Sequence, residues 1–518
     1  MLKLEARLEE RRQNFLKSVD QDTIQHKRDQ FAVELRRTKR LSKFNSKRVM
    51  LSKQAESQVP KILVDYYPQL QNPDLDLRHK LTILYNLITS SASYEVLYKA
   101  LLEARKVITS GSSLPIVIFA EVGYISVLVN LLECTSDHEI KKEAAWCIAN
   151  MTSGDHFVTR SLVEYGAVEK LIRLIDPYKQ DLLENVVWAL ANIAGDCQEF
   201  RDYANSHKLI YELVGVFDSD CEVDDGVIKT CAWAIQNCVK NTRGLPDMQL
   251  VNQVIHIAKN LIRNYDEETQ NIALWILSEV TNGENKHIAA AINSGVMSEI
   301  MKFLEHNNSE YLIPALRTCG NIVSGDAQQT QTMLNYRLLD YLQNTVDHQE
   351  YKVRKETYWT LSNITAGTKS QISYSVSQPI MVSAMKGLHD PNNYVRREAS
   401  WVYSNITEIG PKATVIQLVH MGILTRLSQA FQVESDPKTF SNLLRLSRGL
   451  LEAGSLNEDN FVVKAFCEVG CLDLIESLQL KYNEKINQEI LGLIEEFYGF
   501  EEEQQQPESS SISQFEFS

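Results

Sequence analysis

Six tryptophans and six of the asparagines carry the chemistry this sequence offers. Trp146, Trp188, Trp233, Trp275, Trp359 and Trp401 are all the tryptophans of the chain, and successive members lie 42, 45, 42, 84 and 42 residues apart. Arg317 fills the midpoint of the double step. Asparagine stands four residues on at Asn150, Asn192, Asn237, Asn321, Asn363 and Asn405, and only Glu279 breaks the series. A spacing of four places indole and amide on one helix face, one turn apart. An indole face attracts a cation, and slots between indoles take the aliphatic stem of a long basic side chain. A primary amide offers a donor and an acceptor to the N–H and C=O groups of an extended peptide. Glu143, Asp196, Glu356 and Glu398 fall close to the pairs and suit the charged head of lysine or arginine. A single cation–π contact contributes ~0.5–1 kcal/mol and a peptide hydrogen bond about 1 kcal/mol. Several consecutive pockets are therefore needed for a micromolar Kd, which corresponds to about −8 kcal/mol. One such tryptophan would ordinarily be a partly buried core residue. Six on one lattice are not explained by a core, where an unpartnered amide is costly.

A lattice of about 42 residues has the period of two- and three-helix solenoid repeats, in which each unit contacts only its neighbours. Glycines recur ahead of short apolar segments in EVGYISVLVNLL, EYGAVEKLIRLI, NSGVMSEIMKFL, HMGILTRLSQAF and EVGCLDLIESL. Each is predicted to end a helix at positive φ. A longer helix with the Trp/Asn pair follows, as in EAAWCIANMTSGD and LENVVWALANIAGD. The expected unit is all-α, with two long helices and a short one. Equivalent helices stacked about 10 Å apart would align the tryptophans as parallel indole walls. The lattice fades at Ala104 and Ile108 on one side and at Leu443 and Ser447 on the other, where capping repeats without the pair are expected.

Three zones follow: a basic arm over 1–54, a repeat body over 57–497, and an acidic Gln/Ser-rich tail over 498–518 read as disordered. The formal net charge is −14. Residues 1–54 hold 15 Lys+Arg against 7 Asp+Glu, leaving the rest at −22. A body so acidic argues against nucleic acid and for a cationic ligand, with an arm able to bind the body itself. Hydrophobic residues make up 44% and charged residues 23%, with no apolar run of bilayer-spanning length and no apolar segment of a secretory signal. The nine cysteines lack metal-site spacing, and several, such as Cys147, Cys238 and Cys319, sit in apolar helical patterns, so an intracellular protein with reduced thiols and no bound metal is expected. No nucleotide loop, nucleophile elbow or paired catalytic acid is present, and His156 beside Thr159 reads as helix-end polarity. Enzymatic activity and a cofactor are not expected.

The phrases VVWALANIAGD, PALRTCGNIVSGD, YWTLSNITAG and REASWVYSNITEIG resemble the third, sixth, seventh and eighth repeats of importin α (karyopherin α), and the resemblance covers nearly the whole chain, the Arg317 swap included. It implies an armadillo-repeat right-handed superhelical solenoid of about ten three-helix repeats. It also implies an adaptor that binds Lys/Arg-rich nuclear localisation signals (NLS) and shuttles between cytoplasm and nucleus through nuclear pores. The implied major site is Trp146, Asn150, Gly154, Thr159, Trp188, Asn192, Asp196, Trp233 and Asn237, with Gly154, Thr159 and Asp196 as the deep lysine pocket. The implied minor site is Arg317, Asn321, Val323, Glu356, Trp359, Ser362, Asn363, Glu398, Trp401 and Asn405. The arm resembles the importin-β-binding, autoinhibitory segment, through Arg28, Arg36, Arg37, Lys39, Arg40, Lys47 and Arg48. The last repeats would meet an export receptor of the CAS type; neither nucleic acid nor membrane is an implied partner. Three departures stand out: Ser46-Lys47-Arg48 replaces a usual Lys-Arg-Arg, Glu279 a tyrosine, and Ile272 an acid. The reading set against this one is an armadillo scaffold of the catenin type, whose acidic partners would want a basic groove.

Overall fold

The computed structural model describes residues 59–90, 93–109, 115–240, 247–454, 460–479 and 481–499. The basic arm, with Arg28 through Arg48, and all but the first two residues of the tail lie outside them. The chain forms two compact units, Met1–Gln329 and Thr330–Ser518. Among the described residues both are all-α, with no strand.

One repeat shows how the sequence builds the unit. Asp155 and the helix His156–Glu164 come first, and Gly166 then reverses the chain at φ 78°. A second short helix, Ala167–Ile172, buries Val168, Leu171 and Ile172. The long helix Gln180–Asp196 then carries Trp188 and Asn192. The second helix is short in most repeats, so the expectation of two long helices and one short is corrected to one long and two shorter. All five glycines of the apolar phrases, Gly123, Gly166, Gly295, Gly422 and Gly470, have positive φ. Where glycine is missing from the lattice, Lys208 (φ 67°) and Arg337 (φ 60°) adopt the same left-handed turn.

The long helices are α1 (Tyr94–Thr109), α2 (His138–Met151), α3 (Gln180–Asp196), α4 (Asp225–Val239), α5 (Glu267–Thr281) and α6 (Ser309–Val323) in the first unit. In the second they are α7 (Tyr351–Thr365), α8 (Asn393–Ile409), α9 (Pro437–Gly454) and α10 (Glu484–Tyr498). Within each unit every long helix packs on the next. Side-chain caps set their starts: Asp137 accepts from the Ile140 N–H, Asp266 from Thr269, Asn308 from Glu310 and Asn392 from Tyr394. Both predicted capping positions carry buried apolar residues, Ala104 and Ile108 on α1 and Leu443 on α9.

Ion pairs tie neighbouring repeats. In the second unit Arg354 holds Asp390 through two bonds of 2.7 and 2.9 Å, and Arg396 holds the buried Glu434 at 2.8 Å. Each guanidinium also donates to two backbone carbonyls just before its own helix, His348 and Gln349 for Arg354, Asp390 and Pro391 for Arg396. All nine cysteines are free thiols, five of them buried. Among the described residues no single helix is long and apolar enough to cross a membrane.

Candidate functional site

The long helices bring the lattice residues together in order. In the first unit Trp146 and Asn150 lie on α2, Trp188 and Asn192 on α3, Trp233 and Asn237 on α4, Trp275 and Glu279 on α5, and Arg317 and Asn321 on α6. In the second, Trp359 and Asn363 lie on α7, and Trp401 and Asn405 on α8. Five indoles are half-buried, while Trp359 is 7% exposed. The indole is thus neither a core residue nor a free surface ring on most rungs.

The asparagines do more than the sequence suggests. Asn192 donates from Nδ2 to the Ala149 carbonyl at 3.1 Å and to Thr152 Oγ1 at 3.3 Å. Asn237 donates to the Ala191 carbonyl at 2.9 Å, Asn321 to Ser278 at 2.8 Å, and Asn405 to Ser362 at 2.8 Å. Each of these amides is a strut to the long helix before it. Asn150, on the first rung, instead donates to the Trp146 carbonyl at 2.8 Å. Its Oδ1 is buried without a partner among the described residues, an acceptor turned away from water with nothing yet bonded to it.

The indole faces already hold cations. The Arg105 guanidinium lies 4.3 Å from the Trp146 ring centroid, Arg317 lies 5.8 Å from Trp275, and Arg445 lies 5.5 Å from Trp401. Arg105 and Arg445 come from α1 and α9, one and two residues past the vacant lattice positions Ala104 and Leu443. The sequence reading missed both, although a search for cations within two residues of the lattice would have found them. The expectation of parallel walls is corrected at the centre: Trp188 and Trp233 meet edge to face, at 67° with centroids 6.1 Å apart. An alkyl stem between two parallel faces needs roughly 7–8 Å, two carbon–carbon contacts. The electrostatics of two rings favour the tilted contact instead.

Three of the four carboxylates have a basic partner within the protein. Glu143 forms a buried ion pair with Arg105, and burial holds its pKa above the usual carboxylate range even though Arg105 opposes the shift. Glu356 meets the Lys355 ammonium at 3.1 Å, and Glu398 is buried. Asp196 Oδ2 lies 2.5 Å from His156 Nδ1. Of the other residues of the implied pockets, Thr159 is fully buried with its hydroxyl donating to the Thr152 carbonyl at 3.4 Å. Ser362 is fully buried and donates to the Trp359 carbonyl, and Val323 is buried on α6. Gly154 backs directly onto Ile116, whose Cδ1 would lie 2.8 Å from a Cβ at that position.

Comparison with known proteins agrees with this architecture. A family model for the armadillo/beta-catenin-like repeat matches residues 113–153 and 158–195. The crystal structure of an engineered protein, at a TM-score of 0.71 and 23% identity over 81% of this chain and 98% of its own, shares the fold. Importin subunit alpha-1b of Oryza sativa subsp. japonica is 32% identical over 44% of this chain and 42% of its own length. The probable importin subunit alpha-A of Dictyostelium discoideum is 28% identical over 61% of this chain and 60% of its own. Importin subunit alpha-3 of Arabidopsis thaliana is 28% identical over 63% and 60%. The matches thus span about half the length of these relatives. With Trp/Asn rungs on successive packed helices, an armadillo-repeat match and several importin alpha subunits among its relatives, the chain is an all-α armadillo solenoid that resembles importin α.

Proposed function

We propose that this chain is a nuclear import adaptor. Its long helices bind the Lys/Arg-rich localisation signal of a cargo protein as an extended strand. The basic arm over 1–54 joins that cargo to importin β, and the last repeats meet the export receptor that returns the adaptor to the cytoplasm. It performs no reaction of its own. The family of its relatives supports the adaptor role.

The observation that carries the reading is the seating of guanidinium groups on three indole faces. The ladder selects cations with long apolar stems even from its own chain. The acidic body draws a basic strand toward the ladder. An acidic partner, which the catenin-type alternative requires, would meet the wrong charge.

Asp196→Lys tests the pocket. It replaces a carboxylate with a cation where the peptide ammonium should rest. Fluorescence anisotropy with a labelled Lys-rich peptide should show affinity falling at least about tenfold, or about 1.4 kcal/mol. An unchanged affinity would remove Asp196 from the site. Deleting residues 1–54 should abolish importin β capture while keeping or raising peptide affinity, and capture by the truncated chain would contradict the arm's role.

A further inference from the structure

Beside the ladder, the turns after α2 and α3 bring three different donor types to one place. His156 opens the helix after α2, Asp196 ends α3, and Cys197 follows it. One ligand atom from each, the imidazole nitrogen, a carboxylate oxygen and the thiol sulfur, lies within 4.8 Å of the other two. The positions are held rather than incidental. The His156 ring stacks on Phe200 with centroids 5.3 Å apart and planes 9° from parallel, which fixes the direction of Nδ1. The Asp196 side chain is 8% exposed and His156 51%, so the cluster opens to solvent on the imidazole side.

We propose that His156, Asp196 and Cys197 form a binding site for a zinc-class divalent cation, and that its occupation closes the lysine pocket. Zinc takes this mixed nitrogen, oxygen and sulfur set at about 2.0–2.3 Å, and three protein ligands leave a fourth position for water. With the imidazole held by Phe200, the Cys197 and Asp196 side chains would adjust to bring their donors to those distances. Binding replaces the S–H proton of Cys197, which leaves to solvent, and places the metal on Nδ1 with the ring proton on Nε2. Arg160 Nη2 lies 3.4 Å from that Nε2 and must give way. Arg160 is partly exposed and already held by Glu199 at 2.9 Å, so a slight swing toward Glu199 suffices. The closure rests on the proposed use of Asp196: a carboxylate that ligates the metal is not available to a peptide ammonium.

Cobalt(II) is the probe, titrated into the full chain under reducing conditions without a reducing thiol. The expected result is one tightly bound ion with thiolate-to-cobalt absorption, displaced by zinc. C197S should erase that absorption, and H156A, which removes a ligand outright, should weaken binding by at least the roughly 10–100-fold that loss of an outer-shell partner costs. Thiolate absorption that persists in C197S would place the metal on other cysteines and overturn the site. Peptide anisotropy with and without zinc then tests the closure. Zinc should weaken the Lys-rich peptide in the wild type but not in C197S, and an unchanged peptide affinity with the metal bound overturns the closure. The two readings fail separately. Peptide affinity that survives D196K refutes the pocket, whereas the cobalt spectrum reports the metal whether or not a peptide binds.

Discussion

At the scale of single residues, the asparagines join the ladder's binding role to its stability. Asn405 donates to the Ser362 carbonyl one repeat earlier, and both groups are buried. Asn405→Ala removes one donor from that carbonyl, which keeps those of the Ala366 N–H and the Thr365 hydroxyl, so urea denaturation should show a loss of about 0.5–1.5 kcal/mol. Asn405→Asp sets an oxygen against the carbonyl and should cost more than the alanine. If both variants melt like the wild type, the amide is no strut. Gly154 argues similarly from space. A Cβ there would lie 2.8 and 3.0 Å from two atoms of Ile116. Gly154→Ala should destabilise by about 1–3 kcal/mol through overpacking, and Ile116→Ala in the same chain should recover part of that loss. Additive losses in the double mutant would show that the two side chains do not collide. The pairing of Trp with Asn was legible because it repeats inside one helix. The strut was not, since Asn405 bonds a residue 43 positions away. Nor could spacing show the tilt of Trp188 against Trp233, which depends on how two indoles from different repeats meet.

At the scale of the helix and its turns, the repeat reuses one backbone conformation with different residues. Gly123, Gly166, Gly295, Gly422 and Gly470 announce it, because only glycine enters positive φ without steric cost. Lys208 and Arg337 hold the same turn with nothing in their side chains to signal it, so those two turns could be inferred only from the lattice. A left-handed lysine costs about 1–2 kcal/mol, and the extra freedom of unfolded glycine returns part of that. Lys208→Gly should therefore raise stability by about 0.5–1 kcal/mol, seen as a higher Tm, and a lower Tm would mean that the lysine side chain contributes more than its backbone costs. The cap of α5 gives a pH dependence. Burial alone would raise the Asp266 pKa, but bonds from Lys229 and Thr269 outweigh it and hold the carboxyl at about 2, below its ordinary 3.8. Because the folded value is depressed, the stabilisation is present above about pH 4 and is lost as pH falls through about 2. The unscreened shift corresponds to about 2.4 kcal/mol. The side chain is 60% exposed, so solvent screening reduces this to about 1 kcal/mol or less. Asp266→Asn keeps a cap for the Thr269 N–H but loses the charge, and acid titrations should show it losing less stability than the wild type between pH 4 and 2.

At the scale of the whole molecule, a chain of repeats that touch only their neighbours confines damage to where it is made. Arg396 allows this to be tested. Its guanidinium is buried between α8 and the start of α9, bonded to Glu434 at 2.8 and 3.3 Å and to the carbonyls of Asp390 and Pro391. Glu434 is 1% exposed and also accepts from the N–H groups of Ser435 and Asp436. Arg396→Met preserves the apolar stem but strands a buried carboxylate and two carbonyls, a loss of about 3–5 kcal/mol. A single-core globule would spread that loss over every amide that opens only in global unfolding. Nearest-neighbour packing instead predicts that hydrogen exchange accelerates in α8, α9 and the short helices against them. Buried amides of α3, such as those of Leu183, Val187 and Leu190, should keep their wild-type protection. Peptide capture through the first-unit rungs should persist in the same variant, because Trp146, Trp188 and Trp233 lie in the first unit and Arg396 in the second. Uniform acceleration along the chain would refute the additive architecture.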